Sequence, residues 1–154
     1  MAEELHQGDQ APDITLPTQT GEEFKLSDLK GKRVVLFFYP KADTPGCTKE
    51  ACSFRDHSTT FTNSNAVLVG ISPDRPSAQS KFSQKFELPF SLLADTEHKA
   101  AESYGVWKEK SMYGRKYMGI ERSTFVIDET GVIRKIYRKV KVDNHAEEVL
   151  AGLA

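Results

Sequence analysis

The segment that decides the architecture is "RVVLFFYPKADTPGCTKEACSFRD", Arg33 to Asp56. Its opening, Arg33 to Tyr39, is a near-continuous β-branched and aromatic run, the pattern of a strand buried on both faces. Thr44-Pro45 then reads as an N-cap followed by proline at the first helical position, which predicts a helix to about Phe61. The only two cysteines of the chain, Cys47 and Cys52, lie just past that boundary. The question is what a C-x4-C pair does at the start of a helix fed by a buried strand.

Working outward, "DITLPTQ" and "EFKLSDL" flank "TGE" and predict an N-terminal β-hairpin with Gly21 in its turn. Downstream, "AVLVGIS" (66–72) predicts a second buried strand, and "SPDRPSAQSKFSQKF" a helix with Phe82 and Phe86 four residues apart on one face. A short "FSLLAD" strand, a short "TEHKAAESYG" helix stopped by Gly105, and a strand-turn-strand in "STFVID", "DETG" and "VIRKIYRKV" follow. "DNHAEEVLAGL" closes the pattern as a helix capped by Asp143 or Asn144. Alternating strands and helices followed by a hairpin and a helix predict an α/β fold. The two strand-helix-strand passages imply parallel neighbours with right-handed crossovers. The economical solution is a thioredoxin-like fold, a central mixed β-sheet flanked by helices, with an N-terminal β-hairpin. No repeat or linker divides the sequence, so 1–154 reads as a single domain.

The formal net charge is −1, with 28% charged and 38% hydrophobic residues. That balance resembles neither a polycationic nucleic-acid binder nor an acidic disordered tail, and it favours small-molecule or protein partners. The basic run "RKIYRKVKV" reads as the wet face of an edge strand. "MAEELHQGDQ" shows no positive or apolar leader pattern, and no apolar run approaches the roughly 20 residues that span a bilayer. A cytoplasmic protein is expected. Two cysteines are too few for a disulfide framework, and a reducing compartment keeps an ordinary pair as thiols.

With Thr44 as N-cap, Pro45, Gly46 and Cys47 occupy the first helical turn. Unpaired backbone N–H groups and the positive end of the helix dipole favour an anion there, and hence a thiolate. Ala51, Phe54, Ser58 and Phe61 share a stripe with Cys47, so this thiol faces the packed side of the helix. Cys52 lies about 140° around the axis and about 7.5 Å further along, a Cα separation of about 8.6 Å on ideal geometry. A disulfide needs Cα atoms within about 7 Å. The two can therefore bond only if the first turns unwind. Taken alone, a C-x4-C pair is also compatible with two inert core thiols. A structural zinc site wants four ligands, and no His pair at ligand spacing stands nearby. His57, the nearest, reads as a surface residue, and Trp107 as core or rim packing.

"FYPKADTPGCTKEAC" resembles the peroxiredoxin active-site pattern P-x3-T-x2-C, with Pro40, Thr44 and Cys47 in place. Its C-T-x-E-A-C continuation is similar to the bacterioferritin-comigratory-protein, or peroxiredoxin Q, branch. "GISPD", "LPFSLLAD", "YGVW" and "ERSTFVID" resemble that branch in order and spacing, so the likeness covers essentially the whole chain. The resemblance implies a thiol-dependent peroxidase acting on hydrogen peroxide and organic hydroperoxides. It makes Cys47 the peroxidatic cysteine, Thr44 the hydroxyl that orients peroxide and Pro40 the shield over the thiolate. Arg122 becomes the arginine of the site, with Glu50 behind it and the backbone N–H groups of Gly46 and Cys47 as donors. Cys52 matches a resolving position, with thioredoxin or glutaredoxin as reductant, no cofactor or metal, and a monomer as the expected state. No extended C-terminal tail carries a resolving cysteine for a second subunit, which agrees with intramolecular resolution.

Without the resemblance, Thr44 is an ordinary N-cap, Pro40 a strand terminator, and Arg122 the partner of Glu50 or Glu121 in an ion pair. A disulfide oxidoreductase is the nearest rival, but it would carry C-x2-C in the first turn. A redox sensor or chaperone-like module using the same switch is the rival from another class.

Overall fold

The computed structural model describes residues 5–153; Met1 to Glu4 of the N-terminal stretch discussed above, and Ala154, lie outside the described residues. The chain opens with a two-stranded hairpin, β1 (Thr15–Pro17) and β2 (Glu23–Lys25), and a 3-10 turn over Leu26–Leu29. β3 (Arg33–Phe38) leads into α1 (Pro45–Asp56), α2 (Ser58–Asn63) and β4 (Ala66–Ser72). Then come α3 (Pro76–Lys85), β5 (Ser91–Ala94), α4 (Lys99–Ser103) and a second hairpin, β6 (Trp107–Met112) and β7 (Arg115–Ile120). β8 (Ser123–Ile127), β9 (Ile133–Tyr137) and α5 (His145–Leu153) complete the order.

Among the described residues, five strands form the central sheet in the order β5-β4-β3-β8-β9. β3, β4 and β5 run parallel, and β8 and β9 pair antiparallel, so the sheet is mixed as expected. β3 occupies the centre and explains its own composition. Val34, Leu36 and Phe38 point into one core cluster with Val69, Ile71, Phe125, Ala101 of α4 and Tyr104 just after it. Val35, Phe37 and Tyr39 point into the other, with Leu68, Leu92 and the inward residues of α1, α2, α3 and α5. A strand with helices on one side and α4 plus the first hairpin on the other needs apolar residues at every position.

Gly70 is one glycine with a packing reason. A Cβ there would meet Leu92 and the Phe37 ring at 2.9 Å. Its absence lets Phe37 stack on Phe54 of α1 with ring centroids 4.6 Å apart. That contact seats the cysteine-bearing helix on the sheet.

Two local expectations need correction, and one element was not foreseen. The helix predicted to run to Phe61 breaks at His57 (φ −106°, ψ 8°) into α1 and α2. Ser58, Thr59 and Thr60 propagate a helix weakly, and the His57 ring bonds back to the Ser53 carbonyl at 2.9 Å. His57 is not simply a surface residue. It is half-buried and pairs with Glu147 of α5 at 3.3 Å. The hairpin β6–β7 escapes sequence reading altogether. Its residues are mostly exposed on both faces and alternate no apolar set. Its one signal is Tyr113-Gly114, where both residues take positive φ (52° and 77°), the requirement of a tight I′ hairpin turn.

Among the described residues no helix is long and apolar enough to cross a membrane.

Candidate active site

Cys47 is buried and free, and Cys52 is free and half-buried. Both sit on α1, one at its third residue and one at its eighth. The stripe inferred from the sequence is real: Cys47, Ala51, Phe54 and Phe61 belong to one core cluster, and Ser58 is half-buried beside them. Thr44 holds the N-cap backbone conformation (φ −99°, ψ 156°), with Pro45 opening the helix.

The Thr44 side chain, however, does not cap. Its hydroxyl donates to the Lys41 carbonyl at 2.8 Å, and no side-chain bond reaches the helix amides. Two consequences follow. The first helical bond runs from Thr48 N–H to Thr44 O, so the amides of Gly46 and Cys47 precede the i→i−4 ladder and have no acceptor within it. With its proton engaged, Thr44 Oγ1 can only accept from an incoming molecule. The helix start thus presents donors and an acceptor side by side.

Arg122 arrives from the other end of the sequence, on the residue before β8. Its Nη2 donates to Cys47 Sγ at 3.2 Å and its Nη1 to Glu50 Oε1 at 2.7 Å. Gly46 makes the approach possible, because a Cβ at that position would lie 3.3 Å from Arg122 Nη2. Burial disfavours the guanidinium charge, but Glu50 and Cys47 more than offset this, and Arg122 is held in its protonated form. One guanidinium therefore spans the thiol and a carboxyl.

Glu50 faces inward, with only 1% of its side chain exposed. Burial is the largest influence on it and outweighs the pairing with Arg122, pushing its carboxyl from 4.5 up to about 7. Among the described residues its second oxygen, Oε2, finds no hydrogen-bond partner, the arrangement expected of a carboxyl that takes up a proton near neutral pH. Pro40 is half-buried in the loop after β3, directly following the buried Tyr39.

Trp107 packs on the first core and stacks on His98 at 3.7 Å. Sequence reading missed Tyr39, Ser72, Asp74 and Gln79, which join in a buried polar relay beside the site. The signal was available in Gln79, a polar residue three positions before Phe82 on the apolar face of α3. The structure brings Thr44, Gly46, Cys47, Glu50 and Arg122 to one place, with Pro40 on the adjoining loop and Cys52 one helical turn beyond.

Residues 7–136 match the family model described as the AhpC/TSA family. The chain is 53% identical over 146 residues to a putative peroxiredoxin bcp of Coxiella burnetii, covering 95% of this chain and 97% of that protein. It is 54% identical over 146 residues to peroxiredoxin Bcp of Bacillus subtilis, covering 95% and 93%. A crystal structure of a cysteine-to-serine mutant of Xylella fastidiosa PrxQ superposes with a TM-score of 0.93 at 35% identity, covering 99% of this chain and 97% of that one. With a matching family model, relatives above half identity along nearly their whole length, and the same fold in the solved structures, the chain belongs to the AhpC/TSA family and, within it, to the peroxiredoxins of the Bcp and PrxQ branch.

Proposed function

We propose that the chain works as a thioredoxin-dependent peroxidase of the atypical 2-Cys kind, with Cys47 as the oxidised thiol and Cys52 as its intramolecular resolving partner. Membership of the peroxiredoxins makes it a thiol-dependent peroxidase. The observation that carries the residue assignment is the guanidinium of Arg122 placed 3.2 Å from Cys47 Sγ at an uncapped helix start.

The thiolate of Cys47 attacks one oxygen of hydrogen peroxide or an organic hydroperoxide. The S–O bond forms as the O–O bond breaks, and the departing oxygen collects the negative charge and leaves as water or alcohol on gaining a proton. Thr44 Oγ1 accepts the peroxide's hydrogen. The amides of Gly46 and Cys47 donate to its oxygens, and Arg122 stabilises the charge developing on the leaving atom. Pro40 shields the thiolate from bulk water. Glu50 holds Arg122 from behind.

The product, Cys47 sulfenic acid, must be trapped before a second peroxide carries it to sulfinic acid. The first turns of α1 unwind, Cys52 attacks the Cys47 sulfur, and hydroxide leaves as water while the disulfide forms. An external dithiol, thioredoxin or in its place glutaredoxin, returns both cysteines to thiols through a mixed disulfide. The protein acts as a monomer of one domain (1–154) in the cytoplasm, and neither metal nor cofactor enters the cycle.

The test compares Cys47→Ser with Cys52→Ser. Cys47→Ser is expected to lose peroxide consumption outright. Cys52→Ser is expected to keep the first turnover, lose thioredoxin-driven recycling and over-oxidise faster. Equal loss of first-turnover rate in both variants contradicts the division of roles.

A further inference from the structure

The loop from Pro40 to Thr44 carries two of the groups assigned to the peroxide, yet of its residues Ala42 alone packs, half-buried, against a core. Lys41 and Asp43 are exposed, and Asp43 takes a left-handed backbone (φ 58°). The hydroxyl of Thr44 is tied only to the Lys41 carbonyl of the same loop. Something outside the loop must hold it against the helix start.

Besides the exposed ion pair of Asp43 with Lys85 of α3 at 3.0 Å, a buried relay of hydrogen bonds drawing on α3, β4 and β5 does so. The Tyr39 hydroxyl donates to Gln79 Oε1 at 2.5 Å. Gln79 Nε2 donates to the Leu93 carbonyl at 2.9 Å and to Ser72 Oγ at 2.8 Å. Ser72 Oγ donates to Asp74 Oδ2 at 2.6 Å, and the same carboxylate oxygen accepts the Ala42 N–H at 2.7 Å. The Leu93 carbonyl can only accept, which fixes the orientation of the Gln79 amide and so the direction of every bond in the chain. Tyr39, Ser72 and Gln79 are buried at 1%, 1% and 0% exposure. In that setting a relay with every member satisfied is rigid, and a missing partner is costly.

The relay grips the segment at two points, Tyr39 just before Pro40 and Ala42 just after Lys41. Gln79 comes from α3, Ser72 from β4 and the carbonyl of Leu93 from β5, so the grip is referred to the sheet and not to α1. Its last member, Asp74, lies in the turn after β4 that leads into α3.

We propose that Asp74, fed by Ser72, Gln79 and Tyr39, is a positioning residue for peroxide reduction: through the Ala42 amide it sets the loop that aims Thr44 and Pro40 at the sulfur of Cys47. This rests on the reading of Cys47 as the peroxide-reactive thiol. Because the anchor points belong to the sheet, the loop keeps its place while the first turn of α1 opens for the disulfide, and closes again onto a fixed template.

The test separates two electrophiles. Hydrogen peroxide needs the aligned cradle, whereas iodoacetamide needs only an accessible thiolate. In single-turnover reactions at one pH, Asp74→Ala is expected to slow Cys47 oxidation by hydrogen peroxide about tenfold or more, since small misplacement of an aligned group has effects of that order. Alkylation of Cys47 by iodoacetamide is expected to stay within about twofold of wild type. Asp74→Asn, whose amide oxygen can accept both hydrogen bonds, is expected to restore most of the peroxide rate. Ser72→Ala, a smaller deletion that misaligns Asp74 without removing it, should show the same split to a lesser degree, and it serves as the probe should Asp74→Ala not fold. A wild-type peroxide rate in Asp74→Ala, an equal fall of both rates, or no recovery in Asp74→Asn would overturn the proposal. Absence of Cys47 oxidation in the wild type would overturn the peroxidase reading instead, so the two failures are distinguishable.

Discussion

Replacing Glu50 by glutamine removes a charge that burial makes unfavourable while keeping the side chain's shape and an oxygen for Arg122 Nη1. In the folded protein the carboxyl stands at about 7 against an ordinary value of 4.5, with burial the main cause. A carboxyl raised on folding contributes stability that is fully present below its unfolded value and is lost as pH rises through its folded value. For Glu50 that window runs from about pH 4.5 to somewhat above pH 7. The gap corresponds to roughly 3 kcal/mol at about 1.4 kcal/mol per pH unit, with little solvent screening to reduce it in a side chain this buried. Near pH 4.5 both proteins carry a neutral group at position 50, so Glu50→Gln should match wild type within about 0.5 kcal/mol. At pH 8.5 only the wild type carries the buried charge. There the variant should be more stable by up to about 3 kcal/mol, or about 6–12 °C in Tm for a chain of this size. Urea denaturation of the reduced proteins at both pH values measures the difference, and comparing variant with wild type cancels other titrating groups. A variant less stable than wild type at pH 8.5 would refute the reasoning, because it would mean that attraction to Arg122 outweighs desolvation.

Arg122→Ala should slow the first oxidation of Cys47 by about 100-fold or more, the scale of losing one charge-stabilising donor, as read by rapid-quench mass spectrometry. Relative to wild type it should also destabilise the fold increasingly above pH 7, because without the guanidinium the buried Glu50 carboxyl must keep its proton or stand as an unpaired charge. Gly46→Ala places a methyl group 3.3 Å from Arg122 Nη2 without straining the backbone. The arginine must yield, and the same assay should show a several-fold loss with stability little changed. A wild-type rate in Gly46→Ala would mean that Arg122 tolerates displacement and does not act through close contact with the sulfur.

The central architecture was legible because β3 is written in a simple code. Its five apolar and aromatic positions, with Tyr39 just after them, serve two cores, and "RVVLFFY" has no polar face to confuse the reading. The cysteine stripe was equally legible, since Cys47, Ala51, Phe54 and Phe61 obey helical spacing even across the break at His57. As members of the site, Arg122 and Glu50 were reachable only through resemblance; without it their pairing stood as one of two ordinary ion pairs. They lie 72 positions apart, and nothing local in "ERSTFVID" says that the guanidinium crosses to α1. The polar relay was hidden for the same reason. Asp74 reads as a helix-start residue, and only the folded chain shows it facing Ala42. The β6–β7 hairpin was missed on composition, because Lys, Glu and Arg on both faces erase the alternation that marks a strand with one buried side.

The most direct test of the account is the intact mass and peptide map of the reduced protein after one equivalent of hydrogen peroxide. The account predicts loss of two hydrogens, mapped to a link between Cys47 and Cys52, with neither thiol left to alkylate. An unmodified protein with both thiols free would contradict it at the first step. A stable added oxygen on Cys47, with Cys52 still alkylatable, would contradict the intramolecular resolution that the helix-opening mechanism requires.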